Sequence, residues 1–352
     1  MWIYWILFLW PAFAALSFSE TRASGRTTNW RMASLAIVLM LAIGLRFEVG
    51  MDWGNYLDKL DETMDFTWFE ALQRGDPAYS AINWIAAHSG TGIWLVNLVC
   101  AIAFVSGLFA FCRRMPNPWL ALTVAMPYMA IVMAMNYTRQ GAALGFVLWA
   151  LLALHEGRML RFAVFIVMAA LFHKTAAILM PLGALVSVRN RWWTVVWVGI
   201  TSMAVYWAFV AESYESFIEA YVASQMASDG ALIRVIMNAV PAAVFLVTRH
   251  RFDMTPPERE FWTWMSLVVL LFIPVLWYSP SSTAVDRVGL YFMPIQLVGF
   301  THLSAPGTTG WQRPATKLVV VVGYGIVQYV WFNYSNFYFA WLPYRFYPFE
   351  VL

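Results

Sequence analysis

Charged side chains are scarce in this chain of 352 residues, because Asp, Glu, Lys and Arg together make up only 12% of it, against about 25% in soluble domains. Apolar residues make up 61%, more than a water-soluble core and its surface can use. The net charge of +3 is too small to indicate an anionic polymer as a partner. This composition excludes an ordinary cytosolic enzyme, a disordered chain and a nucleic-acid-binding protein. It predicts a polytopic membrane protein.

Signature motifs of common catalytic sites are missing as well. The sequence contains no HExxH, GxSxG or P-loop pattern, and its isolated histidines do not have the spacing of metal ligands. We therefore expect no metal and no other cofactor. The two cysteines, Cys100 and Cys112, fall on one predicted helix, where they would lie about 18 Å apart. They cannot form a disulfide with each other in that arrangement.

Long apolar runs, bounded by charges and by Gly and Pro clusters, predict an all-α protein with about twelve transmembrane helices. Several runs are shorter than the roughly 20 residues that a perpendicular helix needs, so we expect short or broken helices. The first run lacks the basic segment of a cleaved signal peptide, and we expect it to be retained. With no internal repeat, the chain is parsed as one transmembrane domain, 1–352. The candidate spans are 1–18, 32–45, 91–111, 118–135, 140–154, 162–172, 175–188, 192–211, 231–248, 261–278, 288–303 and 318–335.

The distribution of basic residues predicts the orientation. With both termini outside, the inner loops hold 14 of the 22 basic residues but only 5 of the 19 acidic ones, as the positive-inside rule requires. Every inner loop contributes at least two basic residues. We therefore expect both termini outside.

Two outer segments are longer than turns. In residues 46–90, apolar side chains recur every three or four positions with acids between them, which predicts an amphipathic helix on the membrane surface. The apolar positions are Trp53, Leu57, Leu60, Met64, Trp68 and Leu72. The second segment, 212–230, carries four acids and no basic residue, which is typical of a solvated loop.

Eight basic residues lie on the outer side, against the charge rule. They are Arg46, Lys59, Arg74, Arg139, Lys174, Arg234, Arg287 and Arg345. Lys59 and Arg74 are balanced by the acids of the long outer loop. The others lie at or just beyond span ends, where any single one is explained by extension of its side chain to the interface. A charge well inside the bilayer costs at least about 2.5–3.5 kcal/mol, however, so such residues are also candidates for function.

What favours function is that five polar clusters converge on one side of the membrane. The clusters are Arg46 to Tyr56, Asn136 to Gln140, His173 to Ala176, Asp286 to Phe292, and Trp341 to Arg345. Several guanidinium groups with an ammonium and an imidazole can hold a phosphate or diphosphate. Asp52, His173 and Asp286 add groups that can act on a hydroxyl. The pattern suits a lipid-linked diphosphate with its tail in the membrane and its head outside.

At these clusters the sequence resembles the EpsG family of bacterial membrane proteins, which is related to the Wzy polysaccharide polymerases. The resemblance rests on Arg46, Gly50-Met51-Asp52 and Tyr56, on Arg139-Gln140, on His173-Lys174-Thr175-Ala176, and on Asp286-Arg287 with Tyr291-Phe292. It implies a GT-C-like fold and a metal-independent glycosyltransferase that polymerises exopolysaccharide or O-antigen repeat units. The substrate implied is undecaprenyl-diphosphate-linked oligosaccharide at the outer face of the cytoplasmic membrane. A chain-length regulator or co-polymerase is implied as a partner.

The residues and the resemblance together predict roles. We expect Asp52 or His173 to accept the proton of the attacking hydroxyl, and Arg139 and Arg287 to stabilise the departing diphosphate. The residues expected to bind the diphosphate or orient the sugars are Arg46, Tyr56, Gln140, Lys174, Asp286, Tyr291 and Arg345.

Three other functions remain open from the sequence. A flippase or transporter of the same lipid-linked units would show polar groups along a central pathway, whereas here the unusual charges lie at the outer ends of spans. An O-antigen ligase would share the donor. A membrane acyltransferase would need a catalytic histidine near the inner face, where His155 and His250 lie.

Overall fold

The computed structural model describes residues 1–17, 26–183, 196–197, 199–200, 203, 230–279, 281–304 and 312–350. Within these residues the regular structure is helical apart from two short strands. The prediction of an all-α protein is therefore confirmed.

The helices are numbered here in chain order within the described residues. They are α1 (Trp2–Ser17), α2 (Arg26–Gly44), α3 (Trp53–Thr63), α4 (Trp68–Gln73), α5 (Pro77–Ser89), α6 (Ile93–Cys112), α7 (Pro118–Ala125), α8 (Thr138–His155), α9 (Met159–Phe172), α10 (Ala231–Thr248), α11 (Pro256–Tyr278), α12 (Ser282–Gly289), α13 (Pro294–Leu303), α14 (Gln312–Tyr334) and α15 (Tyr347–Glu350). A π-helix (Met126–Ala134) continues α7, and 3₁₀ segments occupy Lys174–Leu179, Arg249–Arg251, Leu290–Phe292 and Tyr338–Ala340. The strands are β1 (Arg46–Phe47) and β2 (Arg345–Phe346).

The described residues include four helices that are long and apolar enough to cross a membrane, and four shorter apolar ones. The long helices are Ile93–Cys112, Ala231–Arg251, Pro256–Tyr278 and Pro314–Tyr334, and the shorter ones are Trp2–Ser17, Trp30–Gly44, Pro118–Ala134 and Met159–Phe172. Ten of the twelve predicted spans coincide with described helical segments. Residues 184–188 of the span 175–188, most of 192–211 and 212–229 of the acidic segment lie outside the described residues. Twelve spans and a GT-C-like arrangement remain predictions.

Several helices are interrupted, and the polar clusters lie at the interruptions. The backbone becomes extended at His173 (φ −157°, ψ 109°), which ends α9. Between α12 and α13 the chain passes through the 3₁₀ segment Leu290–Phe292, and Pro294 then occupies the first turn of α13. A proline is accepted there because the N–H it lacks would have no partner in the helix.

Helices α6 and α8 pack with their backbones in close contact. A methyl group on Gly107 of α6 would overlap the Gly145 carbonyl of α8, and one on Gly145 would overlap the Ala103 carbonyl. Small residues permit such close approach between apolar helices. Helix α8 is buried along nearly its whole length, so it forms the centre of the bundle and determines where its first turn lies.

The C-terminal segment folds over the end of α2 and the loop that follows it. Arg46 of β1 pairs with Phe346 of β2 in an antiparallel register. The buried Trp341 donates from Nε1 to the Ile131 carbonyl at 3.0 Å, and its own carbonyl accepts from the Tyr4 hydroxyl at 2.8 Å. The beginning of α1 and the C-terminal segment therefore lie together. The side of the membrane on which they lie remains a prediction.

Loop 46–90 contains three helices, α3, α4 and α5. Helix α3 covers part of the stretch from Trp53 to Leu72 over which apolar side chains recur. The apolar pattern nevertheless continues across a break, because Thr67 and Glu70 form a capping box that starts α4. The buried face of α3 carries Tyr56 and Leu60. Location of this segment on the membrane surface remains a prediction.

We predict that Gly145→Ala destabilises the protein, because the added methyl forces α6 and α8 apart. Overpacking of this kind costs about 1–3 kcal/mol. The measurement is thermal unfolding in detergent, with Gly323→Ala as the matched control, since nothing lies within 4 Å of a methyl group at that helical glycine. Equal unfolding temperatures for the two variants would contradict the close packing of α6 and α8.

Candidate functional site

A buried carboxylate, Asp76, joins three parts of the chain. Asp76 immediately precedes α5 and is 5% exposed. Its Oδ2 accepts from Arg139 Nη1 of α8 at 2.8 Å, and its Oδ1 accepts from the backbone N–H of Lys174 at 3.0 Å. Nδ1 of His173 lies 3.6 Å from Oδ2. Burial raises the pKa of Asp76, but His173, Arg139 and the Lys174 N–H outweigh burial and hold that pKa below its ordinary value.

Arg139 is held on several sides by the outer loop. Besides its ion pair with Asp76, its guanidinium lies 5.6 Å from the ring centre of Tyr79 and interacts with the Tyr56 hydroxyl. Among the described residues, its Nε and the Nδ1 of His173 are buried without a hydrogen-bond partner. His173 Nδ1 nevertheless faces the Asp76 carboxylate at 3.6 Å, so the Arg139 Nε–H is the one of these two groups whose hydrogen-bonding capacity is unused.

Asp52 lies at the end of a loop with an unusual backbone. Gly50 has φ +101°, and a methyl group there would meet the Met135 carbonyl at 2.8 Å, so the position requires glycine. The Gly50 N–H donates to the Ala340 carbonyl at 2.8 Å, and the Asp52 N–H donates to Asn136 Oδ1 at 3.2 Å. These bonds attach the loop to the C-terminal segment and to the chain just before α8.

The Asp52 carboxyl is partly exposed, and the cluster acts on its ionisation. Partial burial raises the pKa of Asp52, while the charges of Arg287, Arg139 and Lys59 counter that rise. Asp52 and Asp76 are therefore two carboxyl groups with opposite pKa shifts in one site. Such a separation distinguishes a group that can exchange a proton from one that stays ionised.

Three successive residues at the start of α8 connect to three different segments. Thr138 Oγ1 accepts from Arg46 Nη2 at 2.8 Å, Arg139 pairs with Asp76, and Gln140 Nε2 donates to the Arg287 carbonyl at 2.6 Å. Neighbouring side chains on a helix point about 100° apart, so one turn can hold three neighbours. The first turn of α8 is the structural centre of the site.

Helix α12 carries Arg287. It is held by Gln140 of α8 and also by two residues of α10. Arg234 of α10 binds the Asp286 carboxylate through Nε and, at 2.7 Å, through Nη2. Asn238 Nδ2 donates to the Gly289 carbonyl at 2.9 Å. Just beyond α12, the hydroxyls of Thr175 and Tyr291 lie 3.3 Å apart, which joins this segment to the His173–Lys174 junction.

Comparison with known protein families assigns the chain. The model of the EpsG family matches residues 30–346, which covers every cluster described above. The chain belongs to the EpsG family. The comparisons with curated proteins and with solved structures found no match.

In this EpsG-family protein, most of the predicted site residues lie together. The structure brings Asp52, Tyr56, Arg139, Gln140, His173, Lys174, Asp286, Arg287 and Tyr291 into one region. Asp286 faces Arg234 and is 4% exposed. Gln140 is 3% exposed and bound to backbone. These two side chains contact protein groups.

Two predicted binding residues are placed differently. Arg46 is 1% exposed and donates to the Ile43 and Val49 carbonyls as well as to Thr138. Its guanidinium is therefore bound by protein groups and holds the loop before Asp52 in place. Arg345 forms an ion pair with Glu48 and lies 5.1 Å from the ring centre of Phe47. Its contacts belong to the β1–β2 junction.

Sequence reasoning missed Asp76, Lys59 and Arg234 as parts of the site. Asp76 was one acid among many in the outer loop, although Gly75-Asp76-Pro77 is a typical start of a helix. Its carboxylate makes no capping hydrogen bond, because it binds Arg139 and Lys174 instead. The sequence favours an interpretation of Lys59 as a charge balanced by the neighbouring acids, not as part of the site. Partial burial lowers the pKa of Lys59, and the nearby Arg139 charge adds to this effect.

In the described part of this EpsG-family chain, no group of three or more His, Cys, Asp or Glu side chains could hold a metal ion. The expectation that the protein uses no metal stays a prediction.

We predict that Asp76→Asn destabilises the protein by about 3–5 kcal/mol, because Arg139 loses its buried partner. The folded-state pKa of Asp76 is lowered, so its contribution to stability is present above the unfolded-state pKa and is lost as the pH falls through the folded-state value. Unfolding temperatures measured against pH should show this acid-dependent loss in the wild type and less of it in the variant. Asp61→Asn, on the exposed face of α3, is the matched control. If the two variants have the same unfolding profile, the central role of Asp76 is wrong.

Proposed function

We propose that the protein is a glycosyltransferase that polymerises polysaccharide repeat units at the outer face of the bacterial cytoplasmic membrane. The donor is the growing glycan on undecaprenyl diphosphate, and the acceptor is a hydroxyl of the next lipid-linked oligosaccharide. Membership of the EpsG family supports a polymerase-like role, and the apolar helices support a membrane location.

The observation that carries the proposal is the environment of Asp52. This carboxyl is partly exposed, has a raised pKa, and lies within the field of Arg139 and Arg287. A general base must be accessible to the substrate hydroxyl, and an anionic leaving group must be stabilised by cations. One region supplies both. Asp52 and Arg287 come from chain segments more than 200 residues apart.

The reaction forms one bond and breaks one. The acceptor hydroxyl oxygen attacks the anomeric carbon of the donor glycan, and the bond from that carbon to the diphosphate oxygen breaks. Asp52 takes the hydroxyl proton. Arg139, Arg287 and Lys174 stabilise the negative charge that develops on the diphosphate. The donor supplies the bond energy, so no nucleotide is consumed.

The remaining residues have supporting roles in this proposal. Asp76 keeps Arg139 in place and stays ionised, and His173 offers its ring nitrogens to a phosphate oxygen or a sugar. Tyr56 and Tyr291 are buried, so they act as positioning residues: Tyr56 for Arg139 and Tyr291 for the segment that contains Thr175. Arg46, Gln140 and Asp286 are positioning residues for the Asp52 loop and for α12. Arg345 holds the C-terminal segment against Glu48. A chain-length regulator or co-polymerase is the proposed protein partner.

We predict that Asp52→Asn lowers the polymerisation rate by about 10²–10⁴-fold, the usual effect of losing a general base. The assay uses purified protein in nanodiscs with a native lipid-linked repeat unit, without nucleotide, and follows the ladder of products on a gel. The wild-type ladder should persist in EDTA. Its rate should fall as the pH drops through the raised pKa of Asp52, because only the ionised form accepts the proton.

Asp58→Asn, on the exposed side of α3, is the control for this experiment and should retain the wild-type rate. A full-length ladder from Asp52→Asn would overturn the assignment of the base. If the wild type made no ladder but moved lipid-linked sugar between leaflets, the protein would be a transporter.

We predict that Arg139→Ala and Arg287→Ala each lower the rate by about 10²–10³-fold, as loss of a charge-stabilising donor does. The control is Arg74→Ala in loop 46–90, where Arg74 lies over the Phe66 ring. This variant should leave the rate near that of the wild type. The same gel assay measures all three variants. Normal amounts of full-length polymer from both site variants would contradict the proposed stabilisation of the diphosphate.

A further inference from the structure

A second candidate site lies at the other end of α8. The C-terminal ends of α6 and α8 and the N-terminal end of α11 enclose a cavity of about 310 Å³, which is at the lower end of the roughly 300–1,000 Å³ of small-ligand pockets. His155 at this end and Arg139 in the site already described are sixteen helical residues apart, or about 24 Å. The cavity is therefore separate from the Asp76 region.

The lining of the cavity combines an apolar interior with a charged mouth. Phe111, Leu151, Phe261 and Trp262 provide apolar surface, and Arg114 lies among the polar residues that line it. An apolar interior selects a ligand with a hydrocarbon part, because burying a polar group there without a partner is unfavourable. A small soluble anion alone would leave this surface without contacts.

The acidic group that lines the cavity is already engaged. Oε1 of Glu258 pairs with Nδ1 of His155, and its Oε2 accepts from the Thr255 N–H at 2.9 Å and the Thr255 hydroxyl at 2.7 Å. Both oxygens of this carboxylate have partners, so it is balanced by the protein itself.

Arg114, which lines the cavity, and Arg158, which follows the lining residue Gly157, share one carboxylate. Arg114 Nη2 and Arg158 Nη1 each lie 2.8 Å from an oxygen of Glu156. Their side chains are 56% and 52% exposed, and each guanidinium carries five N–H donors. This trio has a net charge of +1 with donors accessible to a ligand. It is complementary to a phosphate group placed at the mouth.

We propose that this cavity binds an acidic phospholipid, with one acyl chain against Trp262 and Phe111 and the phosphate at Arg114 and Arg158. The expected topology places this end of the bundle at the inner leaflet, whose surface is anionic and attracts basic residues. The proposal is independent of the polymerase function.

The test uses the whole protein, purified in detergent and freed of lipid. Native mass spectrometry measures binding of phosphatidylglycerol and of phosphatidylcholine with the same acyl chains. The wild type should bind one phosphatidylglycerol more tightly than phosphatidylcholine. Arg114→Gln and Arg158→Gln should each weaken phosphatidylglycerol binding by about fivefold. Arg113→Gln should have no effect, because this exposed neighbour neither lines the cavity nor pairs with Glu156.

Two variants examine the apolar part. Met115→Trp and Leu152→Phe add bulk to the lining without changing charge. At least one of the two variants should keep the wild-type unfolding temperature, and that variant should lose the bound lipid. Equal affinity for the two lipids would overturn the proposal, as would full binding in a stable filled variant. Competition by glycerol phosphate at the same affinity as the lipid would show a soluble-anion site instead.

Discussion

The site depends on a buried negative charge that has to be matched. A carboxylate as enclosed as that of Asp76 is unfavourable unless cations and N–H groups surround it. Its partners come from α8 and from the junction after α9, so the charge is compensated only when these segments are in place together with α5. The electrostatic requirement of one side chain thus couples loop 46–90 to α8 and to the chain that follows α9. It also fixes the direction in which the Arg139 guanidinium points.

Around this pair, further polar contacts have a supporting function. The guanidinium of Arg46 lies beneath the Asp52 loop, and that of Arg234 holds the helix on which Arg287 stands. Both arginines are bound mainly by protein groups, although they carry the same charge as the residues proposed to meet the diphosphate. Arginine is suited to both tasks, because its planar fork can satisfy several acceptors at once. What separates the tasks is burial and the set of partners.

Much of this organisation could be predicted from the sequence. Hydropathy located the ten described helical segments that match predicted spans but not α4, α5 or α15, and the charge rule singled out Arg139, Lys174 and Arg287 as exceptions that the fold brings together. The remaining features of the site depend on contacts between segments that are far apart in the chain. Nothing local to Arg46 shows that Thr138 will bind it, and Asp76 resembles any acid of a polar loop until α8 is placed beside it. The apolar periodicity from Trp53 to Leu72 also runs across the break between α3 and α4, since it does not register the capping box at Thr67.

The pairing of β1 with β2 has a consequence for how the protein is made. The loop that ends at Asp52 is synthesised about 290 residues before Ala340 and Phe346, which hold it through backbone hydrogen bonds. Closing so long an interval costs chain entropy, which the strand pair and the buried Trp341 must offset together. The helices can therefore enter the bilayer one after another while the Asp52 loop remains unanchored. The proposed base takes up its final position only after Ala340 and Phe346 have been synthesised, so a nascent chain that lacks them would have no finished site.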